Sequence, residues 1–267
     1  MIVTPDGATY YECAVRLLED MEAAESQLSH AAAYPGGRLR VAAPACIASR
    51  ILLPAMDDFC ARYPDIEIDM KVGNRSVDLV GENVDCALRA GRVTNPSLVA
   101  RRVGDIELAL CASPAYLEQH GIPSNPSELD NGRHRVISFL LSSGERYEYV
   151  LQRGEERHRL VSAPGIAVDD SGALLSAALA GLGIAASGLK SAAPDLAAGR
   201  LRLVLPEWTA GRVPLHVVYA PTRRVSAKLR VFIDWAADLF SRTLQDSTAP
   251  DVLPEQRQST DVAAMSA

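Results

Sequence analysis

The sequence predicts an α/β protein: two Rossmann-like lobes joined by two crossovers, preceded by one long helix. Three observations carry this. Short apolar strands alternate with amphipathic helices from Arg38 onwards, the pattern of a parallel sheet with crossover helices. The alternation begins again at residue 135, and a last strand and helix (215–220 and 227–242) read as returning to the first lobe. Ahead of both, residues 8–33 contain neither Pro nor Gly and carry an apolar seam that nothing local buries.

That first helix starts after a turn, Thr4-Pro5-Asp6-Gly7, which also offers an N-cap. Tyr10, Ala14, Leu17, Met21, Ala24 and Leu28 are spaced 4, 3, 4, 3, 4, the 3.5-residue repeat that pairs helices. Glu12, Arg16, Glu19, Asp20, Glu22, Glu25 and Gln27 take the other faces. Such a helix runs roughly 40 Å. Pro35-Gly36-Gly37 separates it from the first strand, so residues 1–35 are expected to project and to pair the chain as a homodimer or tetramer. A helix laid on its own domain is the competing reading.

In the first lobe, residues 38–43 read as a strand and 48–63 as a helix ended by Pro64. Strand 66–72 comes next, then a short helix 76–82 and strand 84–89. Residues 98–103 and 106–112 add two strands, and Pro114 opens a helix. In the second lobe come strand 135–140, a hairpin about Gly154 (147–153 and 156–161), and a strand at 165–168. Helix 171–180, strand 184–187, helix 189–198 and strand 202–205 complete it. The expected two-lobed domain spans 36–242, with one lobe from 38–111 and 214–242 and the other from 112–213. Residues 243–267, rich in Ser, Thr, Pro and Gln, read as a disordered tail.

Composition narrows the function. With 27 basic and 33 acidic residues, the net charge is −6. The arginines are scattered and no basic cluster suits a phosphate backbone. No apolar run reaches the ~20 residues of a membrane span, and no signal peptide leads the chain. Five dispersed cysteines (Cys13, Cys46, Cys60, Cys86, Cys111) fit free thiols in a cytoplasmic protein. No His or Cys pair stands at metal-ligand spacing, so no metal or cofactor is expected. Gly181-Leu182-Gly183-Ile184-Ala185-Ala186 fits a loose dinucleotide pattern, but it leaves a helix and enters a strand, the reverse of the required order. A helix C-cap and tight turn explain it better. No nucleophile elbow, phosphate loop or zincin motif is present, and no enzyme is expected.

Several blocks resemble one family. Thr4 to Tyr11 and the helix behind it resemble the wing end and linker helix of LysR-type transcriptional regulators. Gly37-Arg38-Leu39-Arg40-Val41-Ala42-Ala43-Pro44, Leu53-Pro54 and Tyr63-Pro64-Asp65-Ile66 resemble the opening of their effector-binding domain. Val77-Asp78-Leu79-Val80, Val84-Asp85-Cys86-Ala87-Leu88-Arg89-Ala90-Gly91, Ser113-Pro114-Ala115-Tyr116-Leu117 and Ala178-Leu179-Ala180-Gly181-Leu182-Gly183 continue in the family's order. The resemblance implies a periplasmic-binding-protein-like (type 2) pair of lobes that takes a small-molecule effector in the cleft between them. It also implies an N-terminal winged helix-turn-helix, of which this chain shows no pattern before Thr4. DNA contact is therefore expected only through such a module or a full-length partner. The alternatives are a stand-alone cytoplasmic small-molecule binding protein and a dominant-negative partner of a full-length regulator.

Strand-end loops supply the candidate effector contacts: Pro44, Ala45 and Cys46, Asn74, and Arg89 from the first lobe, with Ser138, Phe139, Asp170 and Ser171 from the second. The resemblance places the family's effector contacts in these loops. A helix N-terminus with Arg89 as a fork donor suits a carboxylate-bearing ligand. Bland readings stand beside each. Arg89 can pair with a neighbouring acid, Asp170 or Ser171 reads first as an N-cap, and Phe139 fits core as well as pocket wall. Cys46 near a helix start also suggests a redox thiol, against which stands the absence of a sequence-close second cysteine.

Overall fold

The computed structural model describes residues 35–75, 77–161, 165–221 and 225–244, with Thr4, Gly7, Tyr10, Tyr11 and Ala14. These fall into two units: the residues up to Asp105 and from Pro214 onwards form unit 1, and Ile106–Val213 form unit 2.

In unit 1, β1 (Gly37–Ala43) pairs in parallel with β2 (Ile66–Val72) along its whole length, from Gly37↔Ile66 to Ala43↔Val72. On its other side β1 pairs in parallel with β3 (Cys86–Ala90). The expected parallel crossovers are there. The chain's last strand, β11 (Arg212–Tyr219), runs antiparallel to β3, with His216 opposite Arg89. Between β1 and β2 lies α1, made of Ala45–Ile47, a π-turn over Ala48–Leu52, and Leu53–Arg62. The helix thus begins three residues ahead of the sequence reading. Pro54 accounts for the wide turn: its ring crowds the carbonyl four residues back and it donates no N–H, so the ladder opens to let it pass. The terminal helix α5 (Ala227–Leu244) meets α1 through aromatic rings, Phe59 to Phe232 at 5.7 Å and Phe59 to Trp235 at 5.1 Å. Phe59, Phe232 and Phe240 are fully buried, each contributing about 2–3 kcal/mol of apolar burial.

One expected helix is missing. Residues 77–83 form turns, with the Glu82 N–H donating to the Asp78 carbonyl and Val84 N–H to Leu79. The Asp78 carboxylate takes the Gly81 N–H, and Asn83 sits at φ 52°. Asp and Asn side chains divert the backbone into local turns in this way.

In unit 2, β4 (Val99–Ala112), whose first residues belong to unit 1, pairs antiparallel with β9 (Ile184–Gly188). β9 pairs in parallel with β5 (Val136–Phe139), and β5 with β8 (Ala167–Val168). β4 is one strand where two were expected: Gly104-Asp105 stays extended, and Asp105 takes the Arg102 guanidinium at 2.6 and 2.7 Å. β10 (Arg202–Leu203) is shorter than expected, because Leu205 turns to φ 50°. β6 (Val150–Arg153) and β7 (Glu156–Arg159) form the hairpin about Gly154.

α2 (Pro114–His120) is capped by Ser113, whose hydroxyl accepts from the Tyr116 N–H. Tyr116, Leu117, Leu129, Leu151, Ile184 and Trp208 belong to one buried cluster. α3 (Ser171–Leu179) and α4 (Leu189–Ala197) complete the unit. α3 ends as the Gly-x-Gly reading expects. Gly181 at φ 75° donates to the Ala178 carbonyl and Leu182 to Ala177, a Schellman stop.

At the N-terminus, Tyr10 and Ala14 are helical and Gly7 N–H donates to the Thr4 hydroxyl. Leu17, Met21, Ala24 and Leu28, and the expected tail after Leu244, lie outside the described residues.

Candidate functional site

Parallel strands bring their carboxyl ends to one edge, and unit 1 gathers its expected residues there. Pro44 comes after β1 with φ −57° and ψ 141° as the residue before α1. Ala45 opens the helix and Cys46 is buried. The Gly73 N–H donates to the Ala43 carbonyl at 3.0 Å, which ties the end of β2 to the end of β1 and holds Asn74 close by. Arg89, next to last in β3, donates from Nη2 to the Val77 carbonyl at 3.0 Å. Glu82, in the turn that leads to β3, engages Lys71 Nζ and Arg75 Nη2, each at 3.5 Å. Donation from the Asp78 N–H, then Lys71 and Arg75, holds the Glu82 carboxyl below its ordinary range.

Unit 2 gathers its four residues in the same way. Ser138 and Phe139 end β5 and pair with Ala167 and Val168 of the parallel β8. Two residues later Asp170 caps α3, its Oδ1 accepting from the Ala173 N–H at 2.7 Å. Ser171 is the first helical residue. The N-cap role of Asp170 is therefore real. Phe139 packs partly buried against the core cluster.

Sequence reasoning missed Arg146. Its Nη1 donates to the buried Ser138 hydroxyl at 2.8 Å. A short hairpin delivers it: Tyr147 N–H donates to Phe139 O at 2.7 Å, Leu141 N–H to Glu145 O at 2.8 Å, and Gly144 turns at φ 84°. The signal was present in Ser142-Ser143-Gly144, a turn triplet between the strand that ends at Phe139 and the aromatic Tyr147. Each rim therefore contains one arginine whose guanidinium donates within the rim.

Burial pushes the Cys111 thiol up to about 12 and moves Cys86 in the same direction. Among the described residues no group of His, Cys, Asp or Glu is placed to hold a metal ion. No described helix is long and apolar enough to cross a membrane.

Residues 32–241 match the LysR substrate binding domain. The chain belongs to the LysR family. An HTH-type transcriptional repressor of Pseudomonas aeruginosa (strain UCBPP-PA14) is 33% identical over 251 residues, which cover 94% of this chain and 79% of that protein. An HTH-type transcriptional regulator of Xanthomonas campestris pv. campestris (strain 8004) is 34% identical over 236 residues, covering 87% and 68%. The solved structure of CrgA, a LysR-type transcriptional regulator from Neisseria meningitidis, superposes with a TM-score of 0.68 at 29% identity, covering 89% of this chain and 80% of that one. The α/β fold is that of LysR regulatory domains, which are periplasmic-binding-protein-like.

Proposed function

We propose that this LysR-type domain senses a small carboxylate-bearing effector held by the two strand-end rims, as the family's inter-lobe cleft implies. The observation that carries the reading is the grouping of all nine expected contacts at strand carboxyl ends, where α/β sheets take their ligands. After Pro44, Ala45 and the α1 N-terminus supply N–H donors, with Arg89 and Asn74 beside them. Ser138 and Arg146 supply donors from the other rim, while Phe139 gives an apolar surface. Asp170 and Ser171 set the start of α3. The chain is proposed to assemble as a homodimer or tetramer through the Tyr10–Leu28 seam. It reaches DNA through a helix-turn-helix such as the names of its relatives record, performs no catalysis, and works in the cytoplasm.

The test is calorimetric titration of the full chain with a panel of small aliphatic and aromatic carboxylates and their amide counterparts. At least one carboxylate is expected to bind while its amide does not. Arg146→Ala is expected to weaken that carboxylate by about 10- to 100-fold, the worth of a charge-assisted hydrogen bond, with an unchanged melting temperature. Unaltered binding by Arg146→Ala, or preference for the amides, overturns the reading.

A further inference from the structure

Glu82 stands in the turns that lead from β2 to β3, after Asn74 and ahead of Arg89. Residues 77–83 make no helix, so side chains hold them. The Glu82 N–H donates to the Asp78 carbonyl at 2.9 Å, and its Oε1 accepts the Asp78 N–H at 3.3 Å. The Lys71 ammonium, near the end of β2, donates to the Glu82 carbonyl at 3.0 Å and to Oε2 at 3.5 Å. Arg75, next to Asn74, donates from Nη2 to Oε1 at 3.5 Å. Just ahead of Asp78, the Val77 carbonyl takes Arg89 Nη2 at 3.0 Å. One carboxylate therefore ties the segment that carries Asn74 to the turn that receives Arg89.

The same carboxylate decides how much positive charge this rim presents. The Glu82 side chain is 32% exposed, against 50% for Lys71 and 88% for Arg75. Both cations reach solvent, and Glu82, the least exposed of the three, answers both. Asp78, the other acid of the turn, directs its carboxylate to the Gly81 N–H at 3.2 Å. Donation from the Asp78 N–H is the chief reason that the Glu82 carboxyl lies below its ordinary range, so it is charged at neutral pH. A monoanion needs one charged fork. A dianion needs a further cation, and the two that flank Asn74 in sequence are engaged within the protein.

We propose that Glu82 sets the charge of the effector: by engaging Lys71 and Arg75 it withholds them from the ligand and restricts unit 1 to a single anionic group. This role rests on the rims being the effector site, and it narrows the effector from a carboxylate to a monocarboxylate. Glu82 acts without touching the ligand, as a specificity-determining residue.

Glu82→Gln isolates the charge. The glutamine oxygen still accepts the Asp78 N–H, and Lys71 keeps its bond to the main-chain carbonyl, so the turn is retained. Exposed ion pairs contribute little to stability, and an unchanged melting temperature is expected. The native chain, Glu82→Gln and Glu82→Asp, each full length and isotope-labelled, are titrated in low-salt buffer with butyrate and with succinate. These acids share a chain length and differ by one carboxylate. The readout is the amide shifts of Gly73, Asn74 and Arg75. Glu82→Gln is expected to bind succinate about three- to tenfold tighter than the native chain, with a smaller gain for butyrate. The succinate gain is expected to shrink in about 0.5 M sodium chloride, which screens exposed charges. Glu82→Asp, which keeps the charge, is expected to stay close to native. Equal gains for the two acids, no saturable succinate shift in Glu82→Gln, a gain untouched by salt, or Glu82→Asp matching Glu82→Gln would each overturn the proposal. Arg146 takes no part in this readout. A missing succinate gain, where Arg146→Ala still weakens a carboxylate, removes the role of Glu82 alone. A native chain that binds no carboxylate removes the rim reading and this role with it.

Discussion

At Gly183 a β-carbon would stand 2.4 Å from the Arg135 carbonyl oxygen and 3.1 Å from Ile137 Cγ1. That carbonyl also accepts the Ile184 N–H at 2.8 Å, so it cannot retreat without breaking the β5–β9 ladder. Gly183→Ala is expected to cost about 1–3 kcal/mol by overpacking, read as a lower urea midpoint at an unchanged slope. The residues were legible as a pair, because Gly-x-Gly between a helix and a strand has a structural use. Which glycine does what was not: Gly181 serves the helix stop through its positive φ, whereas Gly183 serves a close backbone approach. Arg146 was legible only as a neighbour of the Ser142-Ser143-Gly144 turn, not as a partner of Ser138. Its role depends on a hairpin that sets it beside a residue eight positions earlier, and no periodicity encodes that meeting.

Among the elements, α3 shows how a rim residue can hold structure and chemistry together. Asp170 satisfies the Ala173 N–H, and its carboxylate favours the positive end of the helix. Asp170→Ala is expected to destabilise unit 2 by about 0.5–2 kcal/mol, with Asp170→Asn close to native because asparagine caps equally well. Chemical denaturation followed by circular dichroism checks this. An equal loss in both variants would remove the cap as its cause. The sequence made α3, α5 and the parallel strands plain because apolar residues recur at helical spacing or in short β-rich runs. It misplaced the start of α1, where a proline inside the helix is accommodated by a wider turn. It also read residues 76–82 as a helix, whereas over the described 77–82 Asp78 and Asn83 compete successfully for the backbone.

For the molecule as a whole, each unit contains a histidine held below its ordinary value of 6.5. His134 lies in unit 2 and His216 on the unit 1 part of β11, and burial is the main cause for both. A depressed imidazole binds protons more readily when the chain unfolds. Its stabilising contribution is therefore complete above about pH 6.5 and is lost as the pH falls below that value. Carboxylates such as Asp58, lowered chiefly by the Trp235 N–H from an ordinary 3.8, give way only in stronger acid. Urea unfolding at pH 7.5 and 5.5 is expected to show lower stability at pH 5.5. His134→Gln with His216→Gln is expected to narrow that gap, and an unchanged gap would refute the assignment.

The passage of the chain from unit 1 into unit 2 and back gives the two units different histories on the ribosome. Ile106–Val213 is continuous, so unit 2 has all its strands as soon as residue 213 has left the exit tunnel. Unit 1 emerges first yet is completed last. Its β3 waits for β11, and the Phe59 face of α1 waits for α5, more than a hundred residues later in synthesis. During that interval β1, β2 and α1 expose apolar faces that a nascent-chain chaperone would be placed to shield. A truncation that removes α5 therefore harms the segment translated first, while the segment translated in between keeps all its own strands.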